Sequence, residues 1–275
     1  MKKKISVRDI ILNAAIVVLL FVMLYPLIMS VWCSLKTVDI YNKTKFYPTF
    51  PLQINNYVTA FKSCYRFIIN TVYVGVAASA ISLILSSLTA FAFTKLEMVG
   101  KNFLFSAMLA LMMIPGVLTL VPSYMLYCAL GLYNTYIALI LPTAINGSVF
   151  GVFLLAVFIK GIPESFFEAA RLDGANLMQI FMSIVIPLSA PIIGTLAIMK
   201  IVGVWNDYLW PQIMIQDIEK QLVSSGISFT FTSMYSSNMP ITFAGYLLAS
   251  MPIILLFSLT TKTYISGLMN SGLKL

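Results

Sequence analysis

Apolar runs long enough to cross a bilayer recur along this chain, and they restrict its fold more than any other feature. Residues 10–32, 67–94, 103–127 and 134–159 contain no charged side chain, and two further runs cover 184–210 and 240–262. A hydrocarbon core of about 30 Å needs roughly 20 apolar residues in a helix, because away from water the backbone must satisfy its own hydrogen bonds. With 60% hydrophobic and 9% charged residues and a mean hydropathy of +0.95, soluble folds are excluded. The reading is an all-α polytopic membrane protein with about six transmembrane helices in a single transmembrane domain, 1–275.

One polar island interrupts this pattern between the fourth and fifth runs, in the loop 160–183. It holds Glu168, Ala169, Ala170, Arg171, Leu172, Asp173 and Gly174. Pro163 suits the start of a short helix, with Glu164 and Glu168 near its positive end and Arg171 three residues after Glu168. Gly174 suits its stop. Asp173 or Asn176 can cap a second helix running through Ile180 and Phe181 to a segment broken by Pro187 and Pro191. The spacing predicts a helix, a turn and a helix that protrude from the bilayer.

The remaining chain can be read in order. Lys2, Lys3, Lys4 and Arg8 before the first run look like a signal peptide, but the run is too long and no small-residue cleavage site follows. A retained span, interrupted or kinked near Pro26, is expected. Residues 35–66 read as a polar external connector. The second run carries Gly75, Ala77, Ala78, Ser79, Ala80, Ser82, Ser86, Ser87 and Ala90, which suit close helix packing or a polar path. Lys95, Glu97 and Lys101 form a short turn. Pro115 and Pro122 predict a bent or unwound third span, and Pro142 lies inside the fourth. Residues 212–239, rich in Ser and Thr, read as a second external connector.

Several chemistries are excluded. No G-x-x-x-x-G-K-[ST] occurs, so the chain does not hold ATP in the usual way. No nucleophile lies beside a base, and an enzyme is not expected. With no histidine and three cysteines, metal and redox chemistry have little to use. Cys33 and Cys64 could form a disulfide, with unpaired thiols the expected state. The net charge of +8 is spread singly apart from Lys2, Lys3 and Lys4, which suits anionic lipid headgroups better than nucleic acid.

The island also resembles a known signature. Glu168, Ala169, Ala170, then Gly174, Ile184 and Pro187 are similar to the EAA motif of ABC importer permeases, with Ile186 where a leucine is usual. Two further stretches resemble the carbohydrate-uptake, maltose-type branch of that family. One is Met113, Ile114, Pro115, Gly116, Pro122, Gly131, Asn134, Thr135, Leu141 and Pro142. The other is Trp205, Asn206, Asp207 and Pro211, similar to a W-N-D-x-x-x-P element. The tail from Lys262 to Gly272 is a shorter match.

The resemblance implies a cytoplasmic coupling helix between spans four and five that docks on an ATPase subunit. Glu168 and Asp173 would contact the ATPase, Ala169 and Ala170 would permit close packing, and Gly174 would set the turn. It further implies a homologous second permease, two ABC ATPase subunits carrying ATP and magnesium, and an extracytoplasmic solute-binding protein that delivers sugar. This chain would hold no cofactor. The place would be the cytoplasmic (inner) membrane, with both termini cytoplasmic. Ten cations then lie inside (Lys2, Lys3, Lys4, Arg8, Lys95, Lys101, Lys160, Arg171, Lys262, Lys274) against six outside, in keeping with the positive-inside rule.

Asn206 and Asp207 face the substrate route or belong to an interfacial aromatic belt. Lys200, inside the fifth span, snorkels, pairs with a neighbouring subunit or passes an anionic saccharide. Other solutes, such as phosphorylated glycerol or polyamine, remain alternatives, and so, further off, does a secondary carrier or channel.

Overall fold

The computed structural model describes the backbone of residues 7–272 and the side chains of 8–261. The expectations for Lys2, Lys3, Lys4, Lys274 and the side chain of Lys262 fall outside those residues. In chain order the helices are α1 (Val7–Ser34), α2 (Val38–Lys43), α3 (Asn55–Lys95), α4 (Lys101–Ala110), α5 (Gly116–Ala129), α6 (Ile137–Lys160), α7 (Glu164–Leu172), α8 (Leu177–Ile180), α9 (Ile186–Asn206), α10 (Leu209–Met214), α11 (Val223–Ser233) and α12 (Met239–Gly272).

Among the described residues, five helical segments are long and apolar enough to cross a membrane: Arg8–Ser34, Asn55–Lys95, Ile137–Lys160, Leu177–Asn206 and Met239–Thr261. A bent pair, Lys101–Met113 with Gly116–Ala129, brings the number to six if it counts as one span. Its two halves meet at 97°. The break follows from Pro115, which pushes Ile114 into an extended conformation at ψ 116° and then opens α5 as its N-cap. The all-helical, multi-span class read from the sequence is the observed one.

Boundaries differ where polar residues lie on a helix. Residues 55–66, read as connector, form the first part of α3, because Ala60 and Cys64 recur at helical spacing and are both fully buried. The connector 212–239 is likewise largely helical in α10 and α11, with a 3₁₀ turn at Ile218–Lys220. The fifth span begins at Leu177 and is continuous through Pro187 and Pro191. Pro187 lies in its first α-turn after a π-turn at Phe181–Val185, which re-spaces the backbone bonds the proline cannot make. Helix α1 likewise passes Pro26 as one helix.

The chain divides into two compact units. One holds the chain up to Tyr65 with Ile227–Met251, and the other holds Arg66–Gly226 with the chain from Pro252 on. In the first, Asn56 donates to the carbonyls of Ser34 (2.8 Å) and Lys36 (2.9 Å), and Lys36 donates to the Thr44 carbonyl. These bonds fold the first connector back on itself. Cys33 and Cys64 are free thiols, as is Cys128.

In the second unit the small residues of α3 meet α6 and α9. Ser86 donates to the Ser148 carbonyl at 3.0 Å, and a Cβ on Gly151 would lie 2.5 Å from the Ser86 hydroxyl. Ser79, Ser82, Ser86 and Ser87 are buried. Close packing is therefore what this stretch provides.

Candidate coupling turn and polar cleft

The turn is built by local chemistry at both ends. Pro163 N-caps α7. At the other end Gly174 adopts φ +79°, its N–H bonds the Arg171 carbonyl at 3.1 Å, and Ala175 bonds the Ala170 carbonyl at 2.9 Å. That pair of bonds is a Schellman stop, and it needs a left-handed residue where glycine alone carries no steric cost. Asn176 then starts α8 through a capping box: its side chain accepts from Gln179 N–H at 2.9 Å, and the Gln179 side chain accepts from Asn176 N–H at 2.7 Å.

One side chain of α7, Phe167, is buried at 1% exposure. It enters an apolar cluster with Phe91 of α3, Leu155 and Ile159 of α6, and Phe181 and Val185 of the π-turn. Above its ring, 3.6 Å from the centre, lies the ammonium of Lys95. The same ammonium bonds Glu164 at 2.5 Å. This hydrogen bond holds the Glu164 carboxyl below the usual carboxylate range, so it is ionised at neutral pH. Arg171 lies 3.7 Å from the other Glu164 oxygen.

Among the residues singled out from sequence, Glu168, Ala169, Asp173 and Gly174 are exposed, and Ala170 is half-buried against the cluster. Arg171 turns to Glu164 and not to Glu168, which leaves the Glu168 carboxylate on the outer surface of the turn. Leu172 (88% exposed), Phe166 and Met178 add apolar surface beside it. The sequence reading placed Lys95 only in a short turn, without its contact to this helix, and missed Phe167. The signals were a lysine closing a span and an aromatic pair inside an otherwise polar loop.

A second feature is a cleft of about 170 Å³ beside the break in the bent pair. Thr119 and Ser123 of α5, Thr143 and Asn146 of α6, and Asp207 and Trp210 line it. Pro142 shapes one wall. It has no N–H for the Ala138 carbonyl four residues earlier, and the Trp210 indole N–H supplies that bond at 2.8 Å. The Trp210 backbone N–H in turn donates to Asp207 Oδ1 at 3.3 Å.

Asp207 therefore faces the cleft, but its two sequence companions do not share its place. Asn206 donates back to the Val202 carbonyl of its own helix at 2.9 Å. Lys200 crosses to α6 and donates to the Thr143 carbonyl at 2.8 Å, in a notch left by Gly147, where any Cβ would overlap the ammonium.

The same arrangement of chain is found in known proteins. A family model described as binding-protein-dependent transport system inner membrane component matches residues 82–264. The arabinooligosaccharides transport system permease protein of Halalkalibacterium halodurans is 27% identical over 100% of both chains. The melibiose/raffinose/stachyose import permease protein of Bacillus subtilis is 31% identical, over 98% of this chain and 97% of its own. Among solved structures, a chain from a bacterial ABC transporter involved in the import of the acidic polysaccharide alginate matches with a TM-score of 0.83 at 22% identity, over 95% of this chain and 99% of that one. The fold and the match over most of the chain agree, and this is a family of transport components rather than of enzymes: the chain belongs to the binding-protein-dependent transport system inner membrane components.

Proposed function

We propose that this chain is one of two permease subunits of an ATP-driven saccharide importer, and that α7 with Gly174 is its contact with an ATPase subunit. The observation that carries the reading is the construction of the turn. Its exposed side presents Glu168, Ala169 and Asp173, while its buried side is fastened through Phe167 to α3, α6 and the start of α9. A push on the outer side is thus delivered to three spans. ATP is bound by separate subunits, because this chain has no phosphate-binding loop. The turn lies on the cytoplasmic side with both termini, and a second permease and an external binding protein complete the assembly. Relatives whose names specify arabinooligosaccharides and melibiose, raffinose and stachyose support a sugar as cargo.

The cleft lies on the cargo route in this reading. Hydroxyls, an amide, a carboxylate and an indole are costly to present to lipid, and they match the mixed polar and apolar faces of a sugar ring. Asp207 accepts from cargo hydroxyls. Lys200 holds α6 against α9 through Thr143 rather than neutralising an anionic sugar, and Asn206 serves the end of its helix. Closure of the ATPases tilts the turn and switches the spans between inward and outward access.

The test is reconstitution of this chain in proteoliposomes with the permease, ATPase and binding-protein products of its neighbouring genes. ATP-dependent accumulation of a neutral oligosaccharide, with no accumulation of glycerol phosphate or spermidine, is the expected result. Accumulation without ATP, driven by a proton or sodium gradient, would replace this reading with a secondary carrier.

A further inference from the structure

Helix α7 has only nine residues, and a proline before it and a glycine after it separate it from its neighbours. Phe167 is its buried side chain. One buried side chain, with Ala170 only half-buried beside it, fixes where a short helix sits but leaves it free to roll, so a lever held there alone would lose motion to rotation. The second fixed point is Glu164, three residues earlier and on the same face. Both points are held by one group: the Lys95 ammonium, on the Phe167 ring at 3.6 Å and on Glu164 at 2.5 Å.

The cation is well placed for this. The Lys95 side chain is 11% exposed, so salt and water screen it weakly. It closes α3, where the negative end of the helix dipole favours a cation. Its partner Glu164 is 51% exposed, so water reaches the pair from that side, though less than it reaches Arg66 and Glu219 at 50% and 67%. From Lys95, α3 runs without a break back to Val74 and Ala78, about 30 Å away at the helical rise. There it packs in one cluster with Val204, Met214 and Ala138, whose carbonyl holds Trp210 in the wall of the cleft.

We propose that Lys95 is the positioning residue that makes the tilt of α7 and the displacement of α3 a single movement. It touches neither cargo nor ATP. It acts by locking the roll of α7 about Phe167, so that work delivered to the turn reaches the cleft end of α3. The proposal rests on the importer reading above, and its experiment separates the two.

The complex is reconstituted with binding protein and sugar, and ATP hydrolysed and sugar accumulated are measured together. For K95M, the subunits co-purify, ATP hydrolysis stays within about twofold of wild type, and sugar moved per ATP falls about tenfold. K95R keeps the cation and its stacking and recovers at least half of the ratio. E164Q lowers the ratio several-fold, and K95M with E164Q is no worse than K95M, because both remove the same contact. An unchanged ratio in K95M, or a K95R no better than K95M, overturns the proposal. If K95M fails to assemble, the isosteric E164Q decides: an unchanged ratio there overturns it. If the wild-type complex shows no ATP-dependent uptake, the importer reading itself falls and this inference with it.

Discussion

Gly174 shows how one residue can hold a turn together. Its φ of +79° is open to glycine and costly for most other residues, yet a Cβ there would meet nothing within 4 Å. The cost of replacing it is therefore conformational and not steric. Gly174→Val should destabilise the turn by about 1–3 kcal/mol, while Gly174→Asn, which tolerates the left-handed region, should cost less. Thermal melting of the detergent-solubilised complex checks the order. Equal melting temperatures for wild type and Gly174→Val would mean that the Schellman bonds do not hold the turn. This residue was legible in the sequence because its role depends only on its neighbours. Lys95 was not, since Glu164 lies 69 residues away in sequence and nothing local to either reveals the contact.

At the scale of elements, prolines account for the bend at Pro115 and for a carbonyl in α6 that must find another donor. In α6 the donor is Trp210. Trp210→Phe should leave the Ala138 carbonyl unsatisfied at a cost of about 1–3 kcal/mol. Adding Pro142→Ala restores an N–H within the helix and should return most of that loss, so the double variant melts above Trp210→Phe alone. Additive losses would show that the indole bond and the proline are unconnected. The bend at Pro115 and the cap at Asn176 could be read from sequence, because proline and capping chemistry act within a few residues. The helical character of 55–66 could not: its polar composition masked the apolar face formed by Ala60 and Cys64. The cleft was read only through Asp207, because Thr119, Ser123, Thr143 and Asn146 come together only when α5 and α6 fold beside the end of α9.

For the whole molecule, the apolar runs specified the class, and the polar island specified the segment proposed above as the attachment. Composition alone excludes a soluble fold, whereas no composition shows how force enters the membrane. In the proposed importer that depends on the two unlike sides of α7: Phe167 inward in the apolar cluster, and Glu168, Ala169 and Asp173 outward. The account requires the outward side to meet an ATPase, and therefore to lie in the cytoplasm. A photo-activatable cross-linker placed at Ala169, an exposed position with a small side chain, reports both in one measurement. In intact cells expressing the complex, illumination should join this chain to an ABC ATPase polypeptide identified by mass spectrometry. Capture of the external binding protein, or labelling by a membrane-impermeant reagent from outside the cell, would contradict the account.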